Sequence, residues 1–383
     1  MSEFNASNFK KEEGGQGPDI IGTTELTSPY FMVPPSGTTA QRPSGCAPGT
    51  LRFNTDIGSL EYFKGDTIGW ESINRTTPIL GGAIGPTYAG STSGTGARGL
   101  YMGGSTPTKL DVIEYLTIST LGNSQDFGDL TAAKTNGNSF GSQTRGAFCG
   151  GVTPSTVNDT EMVFFASLGN ATDYATLTSG RKEAALVNDQ TRAVHAGGGD
   201  NVMQYLTIEQ GGSWVDFGDL QNPTEQCMGL SSSTRGVIAE GNNVPAGLVN
   251  TIDFITIATL GNAADFGDTT DARYGGASGS NATRGCFAGG WSPNVVNTID
   301  YVTTATTGNA TDFGDMTQAK YTLSGSMSSQ TRMVVGGGHQ NPDPAVNVIE
   351  YWEFATTGNG TDFGDLSAAK NGGGMCSNGH GGL

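Results

Sequence analysis

Charge is in short supply in this sequence. Of 383 residues only 14% are charged, and 19 Lys and Arg stand against 36 Asp and Glu, for a formal net charge of −17. Phosphate contacts need clustered cations, so a nucleic-acid partner is not expected. Histidine is scarcer still. His195, His339 and His380 are the three present, and no Ser-His-Asp grouping or metal-ligand spacing accompanies them. The sequence assigns no catalytic residue, no metal and no cofactor, and an enzyme is not expected. The five cysteines, Cys46, Cys149, Cys227, Cys286 and Cys376, are odd in number and contain no CxxC pair. They read as small buried hydrophobes. No apolar run approaches the roughly 18 residues of a membrane span, and the opening Met1-Ser-Glu-Phe-Asn-Ala, followed by Lys10 and Lys11, lacks the pattern of a signal peptide. A protein made in a cytoplasm, soluble there and without membrane insertion, is the expectation.

Glycine, by contrast, is abundant, with 61 residues and no Gly-X-Y period, which excludes collagen. Many glycines belong to a recurring motif. Asp-Phe-Gly-Asp stands at 126–129, 216–219, 265–268, 312–315 and 362–365, with a degenerate copy from Asp173 to Thr176. Upstream of each lies an Arg followed by a short apolar run ending in glycines. These are Arg98, Arg145, Arg192, Arg235, Arg284 and Arg332, spaced by 47, 47, 43, 49 and 48 residues. Most copies add an Ile-Asp/Glu-aromatic step such as Ile299-Asp300-Tyr301. Such a period marks an array of one supersecondary unit.

In the copy over residues 274–316, strands are expected at 274–280, 286–290, 297–303 and 312–316, with a turn at 281–285. Four short strands per unit, without helical periodicity, predict an all-β fold and a six-bladed β-propeller. The Gly, Ser and Ala of the first strand suit the crowded position nearest the ring axis. Residues 88–93 and 371–377 both look like first strands, so seven candidates compete for six inner positions. The expectation is that the C-terminal one completes blade one and fastens the ring, leaving 78–97 at least partly as linker.

Ahead of the array, residues 1–33 are polar and read as an extended attachment arm. Residues 34–77 form a small β module of three short strands, marginal alone, and 78–383 form the propeller. Within the module, Arg42-Pro43-Ser44, the run from Gly49 through Leu51-Arg52-Phe53-Asn54 to Asp56, Leu60-Glu61-Tyr62-Phe63 and Gly69-Trp70 resemble the β module of tail-fibre and other virion structural proteins of tailed bacteriophages. The repeats themselves resemble kelch and galactose-oxidase-like propellers. They share a double glycine, an aromatic (Tyr115, Tyr205, Phe254, Tyr301, Tyr351), and a second aromatic (Phe127, Phe217, Phe266, Phe313, Phe363) where that family often has Trp. The 12 residues from Tyr301 to Phe313 exceed the kelch separation, so a longer turn must join the outer strands. A copper site like that of galactose oxidase would need paired His and Tyr ligands and a cross-linked Cys, and no such set is present.

What the resemblance implies is a virion protein, a tail fibre or spike displayed outside the cell. Residues 1–77 would contact other virion proteins and act as a stem that trimerises, and the propeller would bind a host-surface glycan or protein. Two other readings compete. One is a capsid decoration or tail-associated structural protein without receptor binding, the other an extracellular lectin-like or carbohydrate-active propeller.

Several motifs carry less than they promise. Asp-Phe-Gly suggests a kinase magnesium ligand, but the Gly-rich loop, strand Lys and catalytic loop are missing and the motif recurs. Residues 94–99 match GxGxxG without a βαβ unit. Asn-X-Ser/Thr sites at Asn170, Asn281, Asn309 and Asn359 are explained better by left-handed turns than by glycosylation. The six arginines and six leading aspartates are expected to form rims and to pair with one another, a rim-bound ion being the alternative. What varies is the connection after the double glycine, at 105–108, 152–155, 200–201, 242–245, 291–294 and 339–343. All six are expected on one face, where variable loops on a rigid scaffold build recognition surfaces. Trp291, Asn242, Asn243, His339, Gln340 and Asn341 are the candidate ligand-binding residues.

Overall fold

A computed structural model describes residues 34–56, 59–67, 69–72, 97–342 and 344–383. The expected arm at 1–33, the candidate strand at 88–93, most of the linker and the first half of the GxGxxG match lie outside the described residues. The chain is all-β, built from antiparallel sheets of four to six strands, and divides into two units, Met1–Thr77 and Pro78–Leu383.

The first unit is a four-stranded sheet in the order β1 (Ser36–Gly37), β2 (Leu51–Asn54), β3 (Ser59–Phe63), β4 (Trp70–Ser72). β1 pairs parallel to the end of β2, and the other pairs are antiparallel. Alternation along β2 is inverted. Arg52 and Asn54 are buried while Leu51 and Phe53 are exposed. The reason is Glu61 on β3, which is fully buried. It accepts from Arg42 Nη2 at 2.7 Å, Arg52 Nη1 at 2.8 Å and Asn54 Nδ2 at 3.2 Å. The Arg42 guanidinium, ahead of Asn54 and Arg52, holds the Glu61 carboxyl below its ordinary range. Trp70 closes the same side, 5.4 Å from Phe63 and under the Arg52 guanidinium. The motif residues that carried the resemblance are the ones that meet here.

The second unit repeats one four-stranded antiparallel sheet six times. Second strands are Arg98–Met102, Arg145–Cys149, Arg192–Ala196, Arg235–Ala239, Arg284–Ala288 and Arg332–Gly336. Each pairs outward with a third strand and inward with a first. Each repeat arginine starts its second strand, so the turn expected at 281–285 ends two residues sooner. For Arg98–Met102 the inward partner is Gly374–Ser377, from the far end of the chain. The C-terminal strand therefore completes the first sheet, as expected. First strands contact one another in cyclic order, from Asn138–Gly141 through Ala185–Asn188, Met228–Ser231, Ala277–Ser280 and Met327–Ser328 to Gly374–Ser377 and back. Small residues allow this approach. A Cβ on Gly279 would come within 2.0 Å of Ser326 Oγ, and one on Gly141 within 2.2 Å of the Ser377 carbonyl oxygen.

Adjacent sheets are tied by side chains that occupy equivalent positions. Each repeat arginine lies over an aromatic ring of its own sheet, at 4.6 Å for Arg98 and Tyr115, 4.4 Å for Arg192 and Tyr205, 4.4 Å for Arg235 and Phe254, 4.5 Å for Arg284 and Tyr301, and 4.2 Å for Arg332 and Tyr351. Its Nη1 then donates to a main-chain carbonyl of the next repeat: Arg98 to Phe165, Arg145 to Ile208, Arg192 to Ile257, Arg235 to Thr304, Arg284 to Phe354, and Arg332 to Ile118 of the first repeat. The expected pairing of arginines with the motif aspartates is thus replaced by a cation-π and carbonyl clamp. Among the described residues, only Arg145 and Arg332 of the six also meet carboxylates, Glu209 and Glu353. In the second repeat Met162 stands where others have the aromatic, and Arg145 lies between Phe164 and Tyr174 instead.

The Asp-Phe-Gly-Asp motif serves the same junctions. Its Phe is buried and meets the upstream aromatic edge-on, as in Tyr301 and Phe313 at 5.9 Å. Its Gly adopts φ near +150°, and a Cβ on Gly267 would lie 2.6 Å from the Gly308 backbone of the next repeat. Asn170, Asn262, Asn309, Asn359 and Asn123 each accept from the main-chain N–H of the motif's last Asp across a junction. Three of the Asn-X-Ser/Thr sites, Asn170, Asn309 and Asn359, are therefore junction clips rather than left-handed turn residues. Asn281 is a turn residue, its Oδ1 accepting from the N–H groups of Thr283 and Arg284.

Deeper in each junction lies a buried polar pair. The acid of the Ile-Asp/Glu step, or Gln204 in the third repeat, accepts a main-chain N–H of the preceding repeat in all six cases. A cation follows in most: Lys134 with Glu161, Arg273 with Asp300 at 2.9 Å, Lys320 with Glu350 at 2.6 Å and Lys370 with Glu114 at 2.6 Å. Opposite Gln204, Arg181 turns to Asp200. Between repeats three and four the pattern breaks. Thr224 holds the cation's position, and Glu240 stands where the other copies have the first glycine of the pair. Glu240 and Asp253, both fully buried, hydrogen-bond to each other, with Asn222 Nδ2 at 3.1 Å from Glu240 and Gln221 Nε2 at 2.5 Å from Asp253. Burial first, and then the Asp253 charge, push the Glu240 carboxyl up to about 7.

Four of the cysteines, Cys149, Cys227, Cys286 and Cys376, are free and buried, and Cys46 is half-buried. Burial pushes the thiols of Cys149, Cys227 and Cys286 up to about 12, the behaviour of inert core residues.

The Glu240 carboxyl ionises near pH 7 when folded, against an ordinary value of 4.5. Between these values the folded chain binds more protons than the unfolded one, so this group's contribution to stability falls as pH rises across that window and is flat above it. We predict that Glu240→Gln removes this loss, raising stability at pH 8 relative to pH 5 by about 2 kcal/mol compared with the parent, as measured by urea unfolding. An identical pH profile in the two proteins contradicts the shared proton.

Candidate functional site

Two small cavities lie along the line encircled by the first strands. One, of about 30 Å³, is ringed by Asn136, Glu183, Gln226, Gly275, Thr322 and Gly372. These six equivalent residues all have left-handed backbone, with φ between 54° and 66°. Backbone hydrogen bonds run around this ring from copy to copy, for example Glu183 N–H to Asn136 carbonyl at 2.9 Å and Asn136 N–H to Gly372 carbonyl at 2.6 Å. The other cavity, of about 50 Å³, is lined by Ser and Asn side chains of the first strands and by His380. Residues 378–383 cross that end. His380 Nε2 lies 2.7 Å from the Gly141 carbonyl and Gly381 donates to Ser280. Volumes of this size hold water, not a substrate.

The variable connections open at the end ringed by Asn136 and its equivalents. Each begins beside the residue that follows the buried cation of the preceding repeat: Val152 bridges Thr135, Asn242 pairs with Glu225, Trp291 bridges Tyr274, His339 bridges Tyr321 and Ser105 bridges Asn371. This shared placement sets the six connections around one end of the unit.

The structure brings part of the candidate set together. Trp291 and His339 flank Tyr321, with ring centroids 5.4 Å and 5.2 Å away and interplanar angles of 62° and 83°. All three rings are half-buried. Gln340 stands at the same place, its Nε2 donating to Gln318 Oε1 at 3.0 Å. Asn341 is exposed at the loop tip. Asn242 and Asn243 form a separate short hairpin with Gly247 and Leu248, and Asn242 Nδ2 donates to Glu225 Oε1 at 3.1 Å. Tyr274 stands between the two groups. Burial, then the charges of Tyr321, Glu183 and Glu225, raise its hydroxyl above the ordinary value.

Tyr274, Tyr321, Gln318 and Glu225 were missed by a search confined to the loops after the double glycine. They belong to the previous repeat and reach the face only because its last strand ends there. The signal available was the column after the buried cation, which reads Thr135, Lys182, Glu225, Tyr274, Tyr321 and Asn371.

The other two histidines lie away from the variable connections. His195 is buried 6.1 Å from Trp214, and burial pushes it down to about 3. His380 is pushed down to about 4 by burial. Both are neutral at physiological pH, with His195 sealed in the core and His380 half-buried.

The first repeat carries Thr135 at the position of Tyr321. Tyr321→Thr should therefore fold with a loss of about 1 kcal/mol or less, and should shift Trp291 fluorescence as its neighbour disappears. A loss of several kcal/mol would mean that the ring is a structural core residue. Compared with known proteins, the chain matches no family model and no curated protein sequence.

Proposed function

We propose that residues 98–383 form a six-bladed β-propeller that acts as a recognition module rather than an enzyme, carried on the virion of a tailed phage as a tail fibre or spike. The observation that carries the propeller reading is the cyclic series of equivalent links. Six arginine-to-carbonyl bonds pass from each repeat to the next and return from Arg332 to Ile118, while the first strands contact one another in the same order. The recognition reading is supported by six variable connections at one end of a rigid repeat. It is also supported by the environment of His195, which is buried and has no access to a substrate.

Assembly falls to the first unit. Its interior is a Glu61 ion cluster with Phe63 as the buried hydrophobe, while Leu51 and Phe53 stay 42% and 37% exposed beside the half-buried Leu60 and Tyr62. A sheet this small with apolar side chains outward is completed by copies of itself, and we propose a homotrimer joined through residues 1–77 to other virion proteins.

The reading is tested by applying labelled full-length chain to a panel of bacterial strains. Binding to a subset of strains, and its loss in the Trp291→Ala, His339→Ala double variant with an unchanged unfolding transition, is expected. Strain-specific binding that the double variant retains removes these loops from the site. Sedimentation of the full chain beside residues 78–383 should show a trimer and a monomer, and two monomers would overturn the stem.

A further inference from the structure

Six copies of one unit act as controls for each other. A residue that all copies share serves the fold, and a residue that departs where its equivalents are small is free of that duty. The residue after the buried cation and the start of the next connection pair through the backbone in five copies, and the sixth keeps the equivalent positions. Yet the side chains are Thr135 with Val152, Lys182 with Gly199, Glu225 with Asn242, Tyr274 with Trp291, Tyr321 with His339, and Asn371 with Ser105. Two adjacent junctions, and no others of the six, place aromatics on both sides. They join into one run in which Trp291, Tyr321 and His339 stand edge to face within 5.4 Å of one another in sequence. Threonine, glycine and asparagine suffice for the backbone elsewhere, so the rings exceed what folding requires.

The surroundings select the ligand. The cations nearest in the chain, Arg273 and Lys320, have fully buried side chains committed to Asp300 and Glu350, so neither reaches the surface. The charges acting on Tyr274 from Glu183 and Glu225 are negative. Lys182 on the same rim is paired with Glu183 at 3.2 Å, so phosphate, sialic acid and uronic acids would have to compete with that carboxylate for it. The amide groups of Gln318 and Gln340, hydrogen-bonded to each other beside His339, supply neutral donors and acceptors.

We propose that the row Tyr274, Trp291, Tyr321 and His339, with the amides of Gln318 and Gln340, is a binding site for a neutral pyranose of a surface glycan. The apolar C–H face of the sugar packs on the half-exposed rings, and its hydroxyls bond the amides. The inference deepens the recognition reading and rests on it for the source of the sugar.

The test titrates full-length chain with methyl glucoside, methyl galactoside, N-acetylglucosamine and the neutral oligosaccharides that contain them, with glucuronate as the charged control. Saturation-transfer NMR and tryptophan fluorescence are the readouts. We expect at least one neutral sugar to bind, glucuronate to bind about tenfold more weakly, and Trp291→Ala and Tyr321→Thr each to weaken the neutral ligand by about tenfold. Trp291→Phe should retain binding while abolishing the fluorescence change. No binding by any neutral sugar, or binding that both variants retain, overturns the proposal. Cell binding that depends on Trp291 but survives enzymatic removal of surface glycans indicates a protein ligand, overturning this site's chemistry while leaving recognition intact. Sugar binding lost with Trp291→Ala alongside unchanged cell binding supports the site and removes it from host recognition.

Discussion

A guanidinium held between an aromatic ring of its own repeat and a main-chain carbonyl of the next is the interaction on which this structure depends. It appears six times, and the last instance, from Arg332 to Ile118, joins the end of the array to its beginning. Two further links repeat in step with it, the buried acid or amide that accepts a main-chain N–H of the preceding repeat and the asparagine that clips the motif's last residue. Each is modest alone, since a hydrogen bond to a charged group contributes about 1.5–3 kcal/mol and a cation-π contact about 0.5–2 kcal/mol. Their effect is cooperative because every sheet is held from both sides. The C-terminal strand adds the final constraint by pairing with Arg98–Met102.

Much of this was legible in the sequence, and the physical reasons for the limits are specific. Strand existence and the repeat followed from periodicity, glycine placement and the recurring aromatic pair, all local signals. Closure by residues 374–377 followed from counting first strands. Partner choice did not follow. Arginine was expected to seek aspartate because opposite charges attract. In the fold, the aromatic of its own sheet lies two strands away in sequence terms but directly under it, and the neighbouring carbonyl is fixed by the junction. Sequence spacing contains no information about which groups face each other between sheets. The same gap hid Tyr274 and Tyr321, which reach the loop face from the preceding repeat.

The departures from the repeat are as informative as the repeat. Thr224 and Glu240 change together, and a carboxyl pair takes over a junction that an ammonium or guanidinium occupies in others. The paired aromatics at the fourth and fifth junctions are a second departure, at the face where the connections differ in length and composition. In the first unit the inversion is complete, with Arg52, Asn54 and Glu61 inside and Leu51 and Phe53 outside, the arrangement on which the proposed assembly rests. In each case a local rule is broken where a partner, a proton or a ligand can restore the balance.

The central claim is that closure by the C-terminal strand makes the six repeats one cooperative body. Equilibrium urea unfolding of the full chain beside a chain ending at Lys370 tests it most directly. The account predicts a single steep transition for the full chain, and for the shortened one a lower midpoint with a shallower, probe-dependent transition, because the first sheet loses its inner strand and the ring its fastening. Superimposable transitions with the same midpoint and slope would contradict it.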